Sequence, residues 1–118
     1  MVLLDTNIFI YLANGTLGSD IIADLDIAHA SITRVEALGF SEIPAGELIL
    51  LEALFSESYE LPLVDSTIQQ AIRLRQAKKM SLGDALVAAT AIENELELWT
   101  ANIDDYSHID DLKLHNPL

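Results

Sequence analysis

The opening residues Met1-Val2-Leu3-Leu4-Asp5-Thr6-Asn7 decide how the chain is read. Val2-Leu3-Leu4 is a short apolar run that stops at Asp5-Thr6, and from Asn7 to Ala13 the residues Ile8, Tyr11 and Leu12 recur at helical spacing. A buried strand feeding a helix, with a carboxylate at the junction, begins a β-α alternation, and the remaining sequence repeats it. Ile27 to Ile32 reads as a second strand, and Thr33-Arg34-Val35-Glu36 has the form of a capping box opening a helix through Phe40. Pro44-Ala45-Gly46 breaks that helix. Glu47 to Ser56 forms a helix apolar on most sides, followed by a third strand, Tyr59 to Val64, despite Pro62. Asp65 or Ser66 caps a helix from Thr67 to Lys79. Ser81-Leu82-Gly83-Asp84 opens another, whose Ala-rich stretch Ala85 to Ile92 predicts close approach to its neighbours. Glu97 to Thr100 is a fourth strand, and Leu112 to His115 adds a short fifth. The alternation predicts an α/β fold in three layers, α/β/α, around a parallel four- to five-stranded sheet with right-handed crossovers.

A chain of 118 residues with no long linker or repeat is one domain, 1–118, and its 51% hydrophobic share excludes a disordered segment. The absence of Cys excludes disulfides and thiolate metal sites. Apolar runs such as Leu48 to Leu51 are cut by a carboxylate within a few residues, so no membrane segment is expected and a cytoplasmic location is. With 19 Asp and Glu against 6 Lys and Arg, the net charge of −13 repels polyanions. Nucleic-acid chemistry on such a chain needs a metal or a local basic strip.

In open α/β sheets, ligands bind beyond the carboxyl ends of the strands, where the strand order reverses. Several acids fall there. Asp5 follows the first strand, Glu36 the second, Asp84 opens the helix leading into the fourth, and Asp104-Asp105 follows the fourth. Converging carboxylates repel unless a cation lies among them, and oxygen ligands without Cys or paired His suit Mg²⁺ or Mn²⁺. Each acid also has a purely structural reading. Asp5 can begin a helix with Thr6, Glu36 can be half of its capping box, Asp84 can favour a helix dipole with Ser81 as cap, and Asp104-Asp105 can be a solvated turn.

Four stretches together resemble the successive signatures of PIN-domain ribonucleases, and most nearly of VapC toxins from bacterial toxin-antitoxin modules. They are Asp5-Thr6-Asn7, Ser31-Ile32-Thr33-Arg34-Val35-Glu36, Asp84-Ala85-Leu86-Val87-Ala88-Ala89-Thr90-Ala91, and Thr100-Ala101-Asn102 with Asp105-Tyr106. The resemblance spans nearly the whole chain. It implies endonucleolytic RNA cleavage in an acidic pocket holding Mg²⁺ or Mn²⁺, a homodimer, and a cognate antitoxin. Carried over by position, Asp5, Glu36, Asp84 and Asp105 match the catalytic, metal-binding acids, and Thr6, Asn7, Thr100 and Asn102 the supporting polar positions. Asp5 and Asp84 would anchor the main metal, Glu36 would be shared between sites or orient water, and Asp105 would complete the shell. Two departures stand out: Ala101 where a basic residue is common, and Tyr106 where Phe is. Asp104 competes with Asp105 for the fourth acidic position.

Further expectations concern partners. Arg73, Arg75, Lys78 and Lys79 precede Asp84, and Arg75, Lys78 and Lys79 at i, i+3 and i+4 would share a helical face able to track phosphates, or else be a solvated face. Leu48, Ile49, Leu51, Leu54 and Phe55, with Phe9 and Tyr11, suggest either core packing or a dimer face and antitoxin groove. His29, His108 and His115 have no ligand spacing and read as core or surface residues. Two rival readings are a receiver domain with Asp65 as phosphoacceptor, and a degenerate PIN domain that binds without cleaving.

Overall fold

Leu3 and Leu4 are both fully buried, as a central strand covered on both faces requires. The computed structural model describes residues 1–118 and places β1, Val2–Leu4, in the middle of a five-stranded sheet of order β3-β2-β1-β4-β5. The other strands are β2, Ile27–Ala30, β3, Tyr59–Leu61, β4, Glu97–Trp99, and β5, Leu114–His115, and every pairing is parallel. Leu3 pairs with Ala28 on one side and Leu98 on the other.

Side chains alternate across this sheet with period two and so build two cores. Leu3, Ala28 and Leu98 face a cluster completed by Val87, Ala88 and Ala91 of α5, Leu82–Glu93, and by Tyr106. Leu4, Ile27 and Trp99 face the opposite cluster. That cluster contains Ile8, Phe9 and Ala13 of α1, Thr6–Asn14, Ala37 of α2, Ser31–Leu38, and Leu51 and Phe55 of α3, Ala45–Glu57. The result is the expected α/β/α sandwich. Outside it, α4, Asp65–Ala77, lies on α5 through Ala71, Ala85 and Ala89, whose small side chains allow the close approach that the Ala-rich sequence predicted.

Several boundaries differ from expectation. β2 stops at Ala30 and α2 begins at Ser31, so Thr33 lies inside the helix and no side chain caps its start. The capping box is therefore not formed. Thr33 is fully buried with an unpartnered hydroxyl, and the Glu36 carboxylate is turned elsewhere. α2 ends at Leu38, before Phe40. α4 begins at Asp65 after an extended Val64, with neither Asp65 nor Ser66 capping it, and ends at Ala77. Lys78 has extended backbone, φ −158° and ψ 146°, so Arg75, Lys78 and Lys79 do not share a helical face. β3 ends before Pro62, which has no N–H for a ladder.

The chain winds outward from β1 to β2 and β3, then crosses to β4 and β5 on the other side of β1. The strand order therefore reverses between β1 and β4. The crevice beyond their carboxyl ends is the place where such a sheet accepts a ligand.

Candidate active site

Leu4 pairs with Trp99, so Asp5 and Thr100 leave the sheet side by side at that crevice. Asp5 caps α1, its Oδ1 accepting the Ile8 N–H at 3.1 Å, and is 5% exposed. Its structural and chemical readings thus hold together, since capping uses one lone pair and leaves the rest of the carboxylate free. Burial pushes its pKa above the usual carboxylate value and the nearby Asp84 adds to the rise; the Thr100 hydroxyl and the Ile8 and Asn7 amides pull the other way. Thr100 is fully buried beneath the cleft and accepts the Asn102 N–H at 3.0 Å, which fixes Asn102 at the rim.

Asp84 lies in the first turn of α5, where Ser81 caps the helix by accepting the Asp84 N–H at 3.1 Å. The Tyr106 hydroxyl donates to Asp84 Oδ1 at 3.0 Å. Burial, and then the charges of Asp84 and Asp5, raise the Tyr106 pKa far above its ordinary value, so that hydroxyl stays a donor. From the other wall comes Glu36, whose Oε1 accepts the Thr6 hydroxyl at 2.8 Å. A Cβ on Gly83 would stand 2.6 Å from Glu36 Oε2, so the missing side chain is what lets Glu36 lie against the start of α5.

Asp5, Thr6, Asn7, Glu36, Asp84, Val87, Asn102 and Tyr106 line this cleft of about 140 Å³. Three of the four expected acids thus meet across it. Asp105 does not line it; it is exposed on a short 3₁₀ turn, Ile103–Asp105, and its charge reaches the cleft only as a further influence on Tyr106. Asp104 is exposed on the same turn. The acids do not close into a three-carboxylate cage. Each has its own donor: the Ile8 amide for Asp5, the Thr6 hydroxyl for Glu36 and the Tyr106 hydroxyl for Asp84. As a donor set these residues fit a hard divalent cation, because all offer oxygen and a cation would relieve the buried Asp5 charge beside Asp84.

Two contributors were not legible as such in the sequence. Gly83, a poor helix former in a first helical turn, was the one local signal of a close approach. Tyr106 gave no signal of its contact with Asp84, 22 residues away. Arg75, Lys78 and Lys79 are exposed and line no part of the cleft, and the Arg75 side chain donates to the Met80 carbonyl at 3.3 Å.

A larger cleft, about 350 Å³, opens at the β2–β3 edge among His29, Arg34, Leu38, Glu52, Phe55, Ser56, Ser58 and Glu60. His29 is 2% exposed, with Nδ1 at 2.8 Å from Ser58 Oγ and Nε2 at 3.1 Å from Glu60 Oε1. Arg34 clasps the same Glu60 at 2.7 Å. Burial lowers the His29 pKa, against the pull of Glu60. Of the other histidines, His115 is exposed against the Trp99 ring, and the His108 ring nitrogens are buried without partners.

A family model described as the PIN domain matches residues 2–112. A comparison with curated protein sequences gives no significant match. Among solved structures, a chain of a toxin-antitoxin complex from Klebsiella pneumoniae is 26% identical with a TM-score of 0.83, the match covering 100% of this chain and 98% of that one. VapBC2 from Rickettsia felis, bound to a DNA fragment from its promoter, is 24% identical with a TM-score of 0.81 and coverage of 98% of each chain. VapBC-1 from nontypeable Haemophilus influenzae is 20% identical at a TM-score of 0.78, again covering 98% of each. The parallel sheet, the reversal of strand order between β1 and β4, and the family model over nearly the full length agree: this chain belongs to the PIN-domain family.

Proposed function

We propose that this chain is an endoribonuclease dependent on Mg²⁺ or Mn²⁺ and the toxin of a toxin-antitoxin pair. The observation that carries the reading is the buried Asp5 carboxylate beside Asp84 in an acidic cleft at the strand-order reversal. Asp5 and Asp84 would hold the cation, with Glu36 at the opposite wall and Asp105 contributing from the solvent side. Bound there, the cation supplies charge stabilisation to a phosphoryl group and lowers the pKa of a water. Glu36, kept in place by Thr6, orients the attacking water and accepts its proton. Asn7 and Asn102 offer amide N–H groups to the non-bridging phosphate oxygens, with Thr100 fixing Asn102 from below. Attack in line breaks the P–O3′ bond and the leaving O3′ takes a proton from solvent water, so the products carry 5′-phosphate and 3′-hydroxyl ends and the 2′-hydroxyl takes no part. Lys78 and Lys79, exposed between α4 and α5, are cations available to meet RNA phosphates.

The toxin role draws on the Klebsiella pneumoniae toxin-antitoxin complex that this chain resembles over its full length. Exposed Phe40, Ile49 and Leu50 offer an antitoxin an apolar surface, and a basic side chain entering the acidic cleft would silence it. Ile68, Ile72 and Leu82, exposed on α4 and α5, supply an apolar face for a homodimer. No helix is long and apolar enough to cross a membrane, in keeping with action in the cytoplasm. The test is to map new 5′-phosphate ends in total bacterial RNA incubated with the protein, with Mg²⁺ or Mn²⁺ against chelator, beside D84N. Discrete metal-dependent ends absent from D84N are expected. Ends that persist in D84N, or no ends with either metal, overturn the reading.

A further inference from the structure

We infer that Tyr106 is a positioning residue whose hydrogen bond to one oxygen of Asp84 turns the other oxygen to the cleft, so that this carboxylate binds through one oxygen rather than both and favours a small octahedral cation over a large one. The inference rests on the cation reading of the cleft. Its basis is a contact that joins one core to the cleft: the Tyr106 ring is 2% exposed in the cluster with Leu3, Val87, Ala88 and Leu98, while its hydroxyl reaches the cleft wall. The backbone around it is fixed, Tyr106 N–H donating to the Ile103 carbonyl at 3.0 Å and Ile109 N–H to the Tyr106 carbonyl at 3.0 Å. Packing in that cluster holds the ring itself in place.

Asp84 is held from the other end, because Ser81 fixes its amide in the first turn of α5. With the Tyr106 hydroxyl on Oδ1 at 3.0 Å, Oδ2 is the carboxylate oxygen that no side chain claims. A carboxylate presented through one oxygen suits Mg²⁺, which demands near-ideal octahedral geometry, whereas Ca²⁺ takes more oxygens and accepts carboxylates through both at once. Asp5 is oriented in the same way, its Oδ1 accepting the Ile8 N–H while its remaining lone pairs stay free. Without the hydroxyl, Asp84 gains the freedom to turn and present both oxygens. The phenyl ring of a Phe would fill the same apolar space, so the role of the hydroxyl separates from the packing of the ring.

The experiment uses the full chain and Y106F, without RNA. Binding of Mn²⁺ is read by the electron paramagnetic resonance of the free ion, Mg²⁺ and Ca²⁺ are titrated as competitors, and thermal unfolding is recorded without metal. Partners that orient a metal ligand typically contribute 10- to 100-fold in affinity, so Y106F is expected to bind Mn²⁺ about tenfold more weakly, and its Ca²⁺-to-Mg²⁺ competition ratio should move toward Ca²⁺. Its metal-free unfolding should match the parent. Unchanged affinity and ratio in Y106F overturn the inference, and so does a Y106F that loses its folded state, because the hydroxyl would then be structural. A parent chain that binds none of the three cations overturns the cation reading itself, a distinct result.

Discussion

The His29 cleft and the acidic cleft differ in a way that volume hides. The His29 cleft is the larger, about 350 Å³ against about 140 Å³, yet its charges are matched: Glu60 is shared between Arg34 and His29, and Ser58 takes the other ring nitrogen. In the acidic cleft no cation answers Asp5, Glu36 and Asp84, and the most buried of the three is pushed toward protonation. Chemistry follows from unanswered charge held in a desolvated place, because an ionised group without a counter-charge costs free energy that a ligand can recover. A satisfied network has nothing to recover. The Phe9–Phe55 stack at 4.4 Å, with His29 edge-on to both rings, marks the larger cleft as packing.

The largest effect that would sharpen this contrast is expected from D5N. An amide keeps the cap on Ile8 but removes the charge, so metal-dependent RNA cleavage should fall about a thousandfold, near 4 kcal/mol of barrier. Metal-free unfolding in urea should show equal or greater stability, and a marked destabilisation would assign Asp5 a mainly structural role. Next in size is F55A, which removes a stacked ring 6% exposed. It should cost about 3–5 kcal/mol of stability in denaturant, while Mn²⁺ affinity of the folded fraction stays at the parent value. Loss of Mn²⁺ binding there would merge the two clefts into one functional unit.

G83A should give a smaller, opposite-signed pair of effects. Its Cβ displaces Glu36, lowering cleavage about tenfold, whereas replacing a helical glycine adds about 0.5–1 kcal/mol of stability; a variant with full activity would show that Glu36 has room to spare. The mildest effect concerns pH. Burial lowers the folded-state pKa of His29 below its ordinary 6.5, so the stability contributed by neutral His29 is complete above that value and is lost as pH falls through the lowered one. Urea unfolding between pH 7.5 and pH 5 should therefore lose more stability in the parent than in H29Q, and equal losses would assign the acid sensitivity to other groups.

How much was legible depended on the range of the interaction involved. The strand-then-helix reading of Val2 to Ala13 held because periodicity and the Asp5 cap act within a few residues. The same locality misled at Thr33 to Glu36, where a capping-box pattern lies inside a helix that started earlier. There, a fully buried Thr33 and the Thr6–Glu36 hydrogen bond, 30 residues apart in sequence, outweighed the local preference. Lys78 and Lys79 were placed on a helical face that ends one residue before them.

The sequence by itself determined the alternation of strands and helices, the parallel sheet, and the placing of acids after strands, since hydrophobic period and chain order carry that information. Only the tertiary structure decided which acids meet. It brought Asp5, Glu36 and Asp84 to one cleft, left Asp105 outside, and set the Tyr106 hydroxyl on Asp84. Those outcomes depend on how α2, α5 and the turn after β4 pack on the sheet, and packing is fixed by contacts between residues far apart in the chain.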